Sequence, residues 1–383
     1  MAKYKLDELC EFITDGTHQT PEYCEEGGVI FLSSKDVTER KINWDDVRYI
    51  PESLHQKLYK RLSPKLNDIL LAKNGTTGVA AIVDRDEVFD VYVSLAVLRP
   101  LESVYPKYLL YAINSPVAKR QFNAGLKGIG VPNLHLGVIR ETVVNVAPRD
   151  EQEKICEILD KVASVIDSRK AELSALEDLI KARFVELFGD ININDKNWDC
   201  EPLGDLCTIV RGGSPRPIEQ FLGGDVPWIK IGDATDGDNI YLSSTKEHII
   251  QDGVKKSRLV QSGSLIFANC GVSLGFARII TFDGCIHDGW LAMEDIDERL
   301  DKVFLLQSLN QMTEHFRAIA PAGTQPNLNT AIMKAYKQVI PPIELQRDFI
   351  KFVKQVDKSK VAVQKALEET QLLFDSLMQK YFG

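Results

Sequence analysis

A heptad pattern of apolar residues occurs twice in this 383-residue chain and constrains its fold more than any other feature. In the first copy, Gln152 to Gly189, apolar residues recur at spacings of three and four. The second copy repeats the pattern in phase, and both end in Phe-Gly, at 188–189 and 382–383. The offset is 383 − 189 = 194 throughout, which indicates an internal duplication. The first seam comprises Ile155, Leu159, Val162, Ile166, Leu173, Leu176, Ile180 and Leu187, with Arg169 and Arg183 as polar interruptions; the second comprises Phe349, Val353, Val356, Val363, Leu367, Phe374, Leu377 and Tyr381, with Lys360 and Thr370.

Neither copy contains Pro or an internal Gly, so each predicts one continuous helix of roughly 57 Å. The linker from Asp190 to Asp199 spans at most about 35 Å, so the next region must begin near the far end of the first helix. The second helix is therefore predicted to return antiparallel. This predicts two globular heads held apart by a two-helix coiled coil, with a pseudo-twofold axis. The alternative is a coil that joins two identical chains.

The composition is that of a globular protein, with 44% hydrophobic residues and a net charge of −9. No apolar run is long enough to span a membrane, and no targeting segment follows Met1, so we expect a soluble cytoplasmic protein. Seven cysteines without a Cys-x-x-Cys pair indicate neither a disulfide framework nor a zinc site. The acidic balance predicts weak DNA affinity for the isolated chain, with other subunits supplying part of the phosphate contacts.

The regions before each helix follow one plan, in which 226–233 matches 29–36 and 264–271 matches 68–75. Both alternate apolar runs with glycine-rich loops, which predicts an α+β fold class. Residues 1–147 and 191–341 are the predicted heads, and 148–190 and 342–383 the predicted long helices. The strands predicted in the first head lie near Glu11–Thr14, Val29–Leu32, Asp68–Ala72, Val79–Val83, Val91–Arg99 and Thr142–Val146, with helices after Pro106 and Pro116.

Three kinds of loop carry exposed donors in the predicted heads. The loop Lys73–Gly78 and its counterpart Asn269–Gly275 keep their glycines but differ in polar residues, which fits a shared scaffold with altered readout. Lys127–Asn133 and Gly323–Asn327 form the second pair, and Arg211–Arg216 is the third candidate. The alternative is an ordinary hairpin turn for the first pair, an ordinary helix-to-strand connection for the second pair, and solvated charges for the third candidate. The candidate DNA-binding residues are Thr17, His18, Ser34, Lys35, Lys73, Asn74, Thr76, Thr77, Lys127, Asn133, Arg211, Ser214, Arg216, Lys230, Asn269, Ser273, Gln325 and Asn327.

Catalytic motifs are missing from the sequence. There is no nucleotide phosphate loop, no nucleophile elbow and no glycine-rich cofactor fingerprint, so neither a catalytic residue nor a cofactor or metal is expected. Pro341-Pro342 lacks the flanking residues with which an amino-methyltransferase would hold a flipped base. Asp283 and Asp288 lack the carboxylate-x-Lys pattern of many nucleases, and core or surface roles are expected for both.

Two unlike heads alternating with two equivalent helices resemble the DNA-specificity subunit of type I restriction-modification enzymes. The resemblance covers the whole chain and rests most specifically on Val226–Asp233, Ser264–Gly275, Gln325–Leu328 and Pro342–Gln346. It implies two target recognition domains, each reading one half of a split, asymmetric site in double-stranded DNA. It also implies helices that act as spacer and as docking surface for two DNA adenine methyltransferase subunits, which motor and nuclease restriction subunits join.

The resemblance thus implies a subunit without catalysis of its own. The main alternative from another class is a scaffold whose two heads bind proteins, with the helices as a spacer. A self-contained adenine methyltransferase is a weaker reading, because the required motifs are missing.

Overall fold

The computed structural model describes residues 2–25, 27–38, 41–126, 132–235, 240–271, 273–321 and 327–383. By its internal contacts the chain divides into two units. The first unit comprises Met1–Ala171 with Gln364–Gly383, and the second comprises Glu172–Val363. Each unit therefore combines one head with parts of both long helices.

The first head is built from strands in sheets with helices packed beside them. Its strands are β1 (Ala2–Lys5), β2 (Cys10–Asp15), β3 (Val29–Leu32), β4 (Val37–Thr38), β5 (Lys41–Ile42), β6 (Arg48–Ile50), β7 (Ile69–Ala72), β8 (Ala80–Ile82), β9 (Phe89–Val91), β10 (Leu95–Pro100) and β11 (Val143–Val146). Its helices are α1 (Glu52–Leu58), α2 (Pro106–Ile113), α3 (Pro116–Ala124) and α4 (Leu136–Glu141), followed by the long α5 (Arg149–Phe188).

The second head repeats this arrangement. Its strands are β12 (Asp199–Pro202), β13 (Thr208–Arg211), β14 (Leu222–Ile229), β15 (Tyr241–Leu242), β16 (Glu247–Ile249), β17 (Arg258–Val260), β18 (Leu265–Ala268), β19 (Ala277–Ile280), β20 (Gly284–Ile286), β21 (Trp290–Glu294) and β22 (Lys337–Ile340). Its helices are α6 (Leu203–Leu206), α7 (Gln251–Val254), α8 (Lys302–Gln311), α9 (Thr313–Ile319) and α10 (Thr330–Ala335), followed by the long α11 (Ile343–Phe382).

The sheets of the two heads have corresponding strand orders. The first head has a sheet β2-β10-β7-β8 and a sheet β6-β3-β9, and the second has β13-β21-β18-β19-β15 and β16-β14-β20-β17. The central strands β7 and β18 are fully buried, since both faces of the sheet are covered by apolar side chains. The mixed α and β content agrees with the predicted class.

The predicted single strand Val91–Arg99 was wrong, because the chain changes sheets within it. Phe89–Val91 pairs with β3, whereas Leu95–Pro100 pairs with β2 and β7. Tyr92 and Val93 between them donate their backbone N–H groups to Leu32 and Thr17. The second head makes the same crossover at 287–289, between β20 and β21. Apolar periodicity does not report a change of pairing partner.

The strand β1 was not predicted, because its four residues are all exposed and show no apolar alternation. It forms through main-chain pairing with β11, in which Ala2 lies opposite Val146. Its counterpart β12 pairs with β22 in the second head. Each head thus has its entry and exit strands paired just before a long helix begins.

The two long helices are confirmed as unbroken, and each has 40 residues. In the first unit, Phe382 packs on Tyr108 and Phe374 on Tyr111, whose hydroxyl donates to Asp160 of α5. The last turns of α11 therefore lie beside the first turns of α5. All described seam residues are buried or partly buried.

In the second unit the opposite ends of the helices meet. Phe184 and Phe188, near the end of α5, contact Phe349 in the first turns of α11, with ring centroids 5.5 Å apart in both pairs. Both rings also contact Phe304 of the second head. Within each unit, therefore, α5 and α11 run antiparallel, as the length of the linker predicted. The burial of Phe184 was not predicted, since it lies off the heptad seam and is buried by the head.

A glutamine joins each long helix to its own head. Gln152 accepts from the backbone N–H of Tyr105 and donates to Ala147 O, and both residues lie next to helix or strand ends. Gln346, at the 194-residue offset, accepts from Asp301 N and donates to Pro341 O. Both glutamines are buried.

In the part of the chain that the structure describes, no helix is long and apolar enough to cross a membrane.

Candidate nucleic-acid interface

The crossover between sheets positions the candidate residues in both heads. The loop after β2 passes so close to it that a Cβ at Gly16 would lie 1.9 Å from Val91 O. The loop after β13 does the same, since a Cβ at Gly212 would lie 2.2 Å from His287 O. Only glycine permits this approach. In each head the loop after the first sheet strand is thereby held against the crossover.

The predicted loop Lys73–Gly78 of the first head is a tight connection between β7 and β8. Gly75 and Gly78 have φ of +72° and +82°, a region that glycine adopts readily. The hydroxyls of Thr76 and Thr77 donate to Val37 O at 3.2 Å and to Lys73 O at 3.4 Å. Thr76 is exposed and Thr77 is partly exposed. The structure therefore contains the predicted turn, with polar side chains that are at least partly exposed on it.

Lys73 does not present its ammonium to solvent, contrary to the prediction for this loop. The side chain is 7% exposed, and Nζ lies 2.5 Å from Asp15 Oδ2. Asp15 is held at the end of β2, where it also lies 3.3 Å from His18 Nε2. The ammonium of Lys73 is turned inward, where it neutralises the carboxylate of Asp15, because a buried carboxylate without a cation is costly. Lys73 thus stabilises the loops of the candidate interface through a buried ion pair and does not face solvent itself.

The other candidates of the first head lie around this ion pair. His18, Lys73, Asn74 and Asn133 line one cavity of about 540 Å³. Asn133 Oδ1 is buried and has no hydrogen-bond partner within the described part of the chain. His135 and Gly137 also line the cavity. Sequence reasoning missed Asp15 and His135, for which no motif gave a signal.

The remaining candidates of the first head lie beside the hairpin. Ser34 donates its backbone N–H to Ser94 Oγ at 3.0 Å. Lys35 is exposed and donates to Asp46 O. Thr17 forms a bridge with Tyr92 at the crossover. Lys127 lies outside the described residues.

In the second head, Asp288 of the crossover gathers three of the candidates. Ser214 Oγ donates to Asp288 Oδ1 at 2.8 Å, and Arg211 Nε donates to Asp288 O at 3.0 Å. The guanidinium of Arg216 lies 3.6 Å from Asp288 Oδ2 and its side chain is 81% exposed. A surface or core role had been expected for Asp288. Its position at the crossover, which the sequence does not reveal, makes it the centre of this cluster.

The other second-head candidates divide into structural and exposed groups. Asn269 is fully buried and donates to Asn327 Oδ1 at 3.1 Å and to Leu328 O, so the expectation that it is exposed was wrong. Its amide ties the loop to the segment before α10. Lys230 pairs with Glu247 and Ser273 is partly exposed. Gln325 lies outside the described residues.

His287 and Trp228 were also missed as members of this site. His287 Nδ1 accepts from Gly289 N, so in the neutral ring Nε2 carries the proton that faces Asp288 Oδ1 at 3.0 Å. Burial lowers the pKa of His287 first, and the neighbouring cations of Lys230, Arg216 and Arg211 lower it further, against the opposing effect of Asp288. Trp228 lies in the motif Val226–Asp233, but its side-chain direction could not be read from that motif.

The two interfaces differ at equivalent positions. Asp15 and Lys73 in the first head correspond to Arg211 and Asn269 in the second, at an offset of 196. The first head thus has an internal ion pair where the second has an exposed cation and a buried amide. Among the described residues, no group of three or more His, Cys, Asp and Glu side chains could hold a metal ion.

The family model for the "Type I restriction modification DNA specificity domain" matches residues 1–178 and again 195–371, so the chain belongs to this family.

Named relatives agree with this assignment. The chain is 21% identical to the type I restriction enzyme EcoKI specificity subunit of Escherichia coli (strain K12), over 98% of this chain and 86% of the relative. It is 23% identical to the MjaIX specificity subunit of Methanocaldococcus jannaschii, over 44% of this chain but only 40% of that relative. A crystal structure of the type I restriction-modification S subunit from M. genitalium has a TM-score of 0.52, with 16% identity, and covers 100% of this chain and 96% of that one. This last similarity concerns the fold.

Proposed function

We propose that this chain recognises the DNA target of a type I restriction-modification complex, with each head reading one half of a bipartite, asymmetric site. The target recognition domains would be residues 1–147 and 191–341. The observation that carries the proposal is one scaffold with unlike polar residues at equivalent positions, Asp15 and Lys73 against Arg211 and Asn269. Identical heads would read the same half-site twice, whereas unlike heads read two sequences.

The long helices would space the two heads and dock two DNA adenine methyltransferase subunits, with motor and nuclease restriction subunits completing the enzyme. Several apolar side chains on these helices face solvent, which supports a docking role. On α5, Ile158, Val165 and Leu179 are 41%, 45% and 46% exposed, and on α11 Val361 and Leu372 are 71% and 70% exposed. Methyl transfer and DNA cleavage would belong to the partner subunits.

Sequencing of methylated adenines tests the proposal. A host that expresses this chain with its methyltransferase partner should methylate one split motif with two unlike halves and a fixed gap. A host that expresses the methyltransferase alone is the control and should lack the motif. Methylation at the same motif in both hosts, or at none in either, would contradict a role in recognition.

Exchange of one head gives the second test. Replacing Asp199–Ile340 by the same region of a relative should change one half of the motif and leave the other half and the gap unchanged. The boundaries lie at β12 and at the end of β22, so the paired entry and exit strands are exchanged together. Changes in both halves would mean that the heads do not read DNA independently.

A further inference from the structure

Each head carries a short basic segment in the same place, outside the candidate loops. In the first head it spans 57–65 and begins in the last turn of α1, and in the second head it spans 255–258, directly after α7. These helices follow corresponding strands, β6 and β16, which pair with β3 and β14. The chain as a whole is acidic, with 55 acidic and 46 basic residues, so composition does not account for either segment. Neither segment contains a carboxylate, and their cations are Lys57, Lys60, Arg61 and Lys65 in the first head and Lys255, Lys256 and Arg258 in the second.

The cations of the basic segments are all exposed, and most of them have no anion beside them. Lys255 lies 3.5 Å from Asp252, but these two side chains are 82% and 77% exposed. Exposed cations on the long helices are instead paired with carboxylates one turn away, as Lys351 is with Asp348 at 2.9 Å. A cluster of like charges without internal anions attracts an external anion. Four cations of the basic segments form no ion pair within the described part of the chain: Lys57, Lys60, Lys65 and Arg258.

Both basic segments contact a candidate loop of their own head. In the first head, Arg61 Nη2 donates to Asp15 O at 2.8 Å, at the start of the loop after β2. In the second head, Ser257 Oγ donates to Gly213 O at 2.7 Å, in the loop after β13, and lies 3.2 Å from Ile286 O beside the crossover. Positions 61 and 257 are equivalent, since 257 − 61 = 196. Each basic segment is therefore continuous with the candidate interface of its head.

The basic segments are also held in place by contacts with their own heads. In the first head, His55 Nδ1 of α1 lies 2.7 Å from Asp90 Oδ2 of β9, and these side chains are only 12% and 2% exposed. In the second head, Lys256 Nζ lies 4.6 Å from the ring centroid of Phe221. Because the backbone of each segment is fixed in advance, little conformational freedom is lost when its cations meet a ligand.

We propose that the basic segments contact phosphates of the DNA that flank the half-site of each head. The proposal rests on the proposed function in recognition and adds a surface that the candidate loops do not include. Phosphates are alike along any duplex, so the groups that contact them can be shared by two heads, whereas the groups that read bases must differ. The basic segments are shared and the polar loop residues differ. Ammonium and guanidinium groups on exposed turns also suit phosphate oxygens.

The test uses the full chain in complex with its methyltransferase partner, bound across a salt series to a duplex with the methylated motif and to a scrambled duplex. Lys57→Gln with Lys60→Gln removes two charges from the first head. Lys255→Gln with Arg258→Gln removes two from the second. Each pair should weaken binding about tenfold at low salt and reduce the salt slope by about two units. The ratio of the affinities for the two duplexes should stay unchanged, because phosphates carry no sequence information.

Two further variants control for net charge and for folding. Lys3→Gln with Lys337→Gln removes the same charge at exposed positions on β1 and β22, and should keep the salt slope of the parent. Lys57→Arg with Lys60→Arg keeps both charges and should also keep the slope. Circular dichroism must show every variant to be folded, and size-exclusion chromatography must show whether it retains the methyltransferase.

Neutral methylphosphonates in the DNA locate the contacts. Replacing one phosphate at a time around the first half-site should weaken binding of the parent complex at one or two positions beside it. At these positions the variant that lacks the charges of Lys57 and Lys60 should lose no further affinity, because the contact is already absent.

The outcomes separate the two proposals. If the parent complex prefers its motif but the Gln variants keep its slope and affinity, the basic segments do not contact phosphates and recognition stands. Loss of the methyltransferase from these variants would make the segments a protein-docking surface, and a changed preference between the duplexes would make them readers of bases. Either result would overturn the phosphate contact. A parent complex that binds both duplexes equally would overturn the proposed function, and the role of the basic segments in recognition with it.

Discussion

At the scale of single residues, burial divides the candidate cations into two kinds. Lys73 is buried against Asp15 and holds the loop between β7 and β8, whereas Lys35 is exposed close to that loop. Lys35 also lies 3.2 Å from Asp36 Oδ1, but 44% of its side chain is exposed, so it can reach a phosphate by giving up a partly exposed contact, whereas Lys73 would have to break a buried one. Residue type alone does not distinguish them, because both are lysines beside predicted turns.

Substituting these lysines should therefore give opposite results. Lys73→Met leaves Asp15 buried without its cation and should lower the free energy of unfolding by about 3 kcal/mol. Lys35→Met removes a partly exposed ion pair with Asp36, so it should lower the free energy of unfolding by no more than about 1 kcal/mol and should reduce the salt dependence of DNA binding by about one unit. Denaturant unfolding and binding of the methyltransferase complex across a salt series measure both. A stable Lys73→Met with a reduced salt slope would make Lys73 a direct DNA contact.

His287 predicts a pH dependence. Its pKa in the folded protein lies below the ordinary value of 6.5, chiefly because of burial, so near this pH the unfolded chain binds more protons. The contribution of neutral His287 to the free energy of unfolding is fully present above pH 6.5, and it is lost as the pH falls toward the pKa of His287 in the folded protein. Denaturant unfolding at pH 7.5 and pH 5.5 should show a larger loss for the parent than for His287→Gln. Equal losses would mean that His287 titrates normally.

At the scale of elements, the helix pair combines a largely apolar seam with an ion pair between the helices. Lys360 of α11 pairs with Glu177 of α5 at a seam position, and their side chains are only 12% and 25% exposed. A polar group at a seam position disfavours other registers, since any shift would bury it beside apolar side chains. The ion pair therefore adds specificity of pairing to a largely apolar seam, in which Arg169, Arg183 and Thr370 are the other polar residues.

Changing both partners tests this role. Glu177→Leu alone leaves Lys360 without its main anion and should lower the free energy of unfolding by about 2 kcal/mol, less than for a fully buried pair. The double variant Glu177→Leu, Lys360→Leu should recover this loss, because it replaces the pair by apolar contact. Thermal unfolding of these two variants and of Lys360→Leu completes a double-mutant cycle, which measures the interaction energy between the two side chains. A double variant no more stable than Glu177→Leu would show that the pair does not carry this effect.

At the scale of the whole molecule, the proposed function makes the helix length set the gap between half-sites. Deleting 166–172 from α5 and 363–369 from α11 removes one heptad from each helix and keeps both seams in phase. The pair would shorten by about 10 Å, which corresponds to about three base pairs. Selection from a library of spacer lengths should then return a shorter preferred gap or weaker binding, because the heads would face different sides of the duplex.

The control for this prediction is the same complex with one heptad deleted from one helix only. That deletion leaves the two helices unequal in length by about 10 Å, so the seam cannot match at both ends and the helix pair should be destabilised. Circular dichroism of the double deletion must show the helices intact. Undiminished binding at the original gap by a folded double deletion would mean that the helices do not set the distance.

The sequence by itself determined the duplication, the two unbroken helices, their antiparallel pairing and the family, because these depend on periodicity and on chain length. A seam of period 3.5 is local, and a short linker limits where the chain can go. The 194-residue offset extends to Gln152 and Gln346. Each accepts a hydrogen bond from the backbone N–H of the residue just before a helix of its head, Tyr105 before α2 and Asp301 before α8.

Only the tertiary structure decided which loop residues face solvent and which residues form the site. Asp288, His287 and Trp228 are separated by up to 60 residues along the chain (288 − 228 = 60) and meet because the chain crosses between two sheets beside a glycine that admits close approach. Long-range strand pairing sets that geometry, and it leaves no local pattern in the sequence. Lys73 and Asn269 are turned inward for the same reason, since their partners Asp15 and Asn327 come from distant segments.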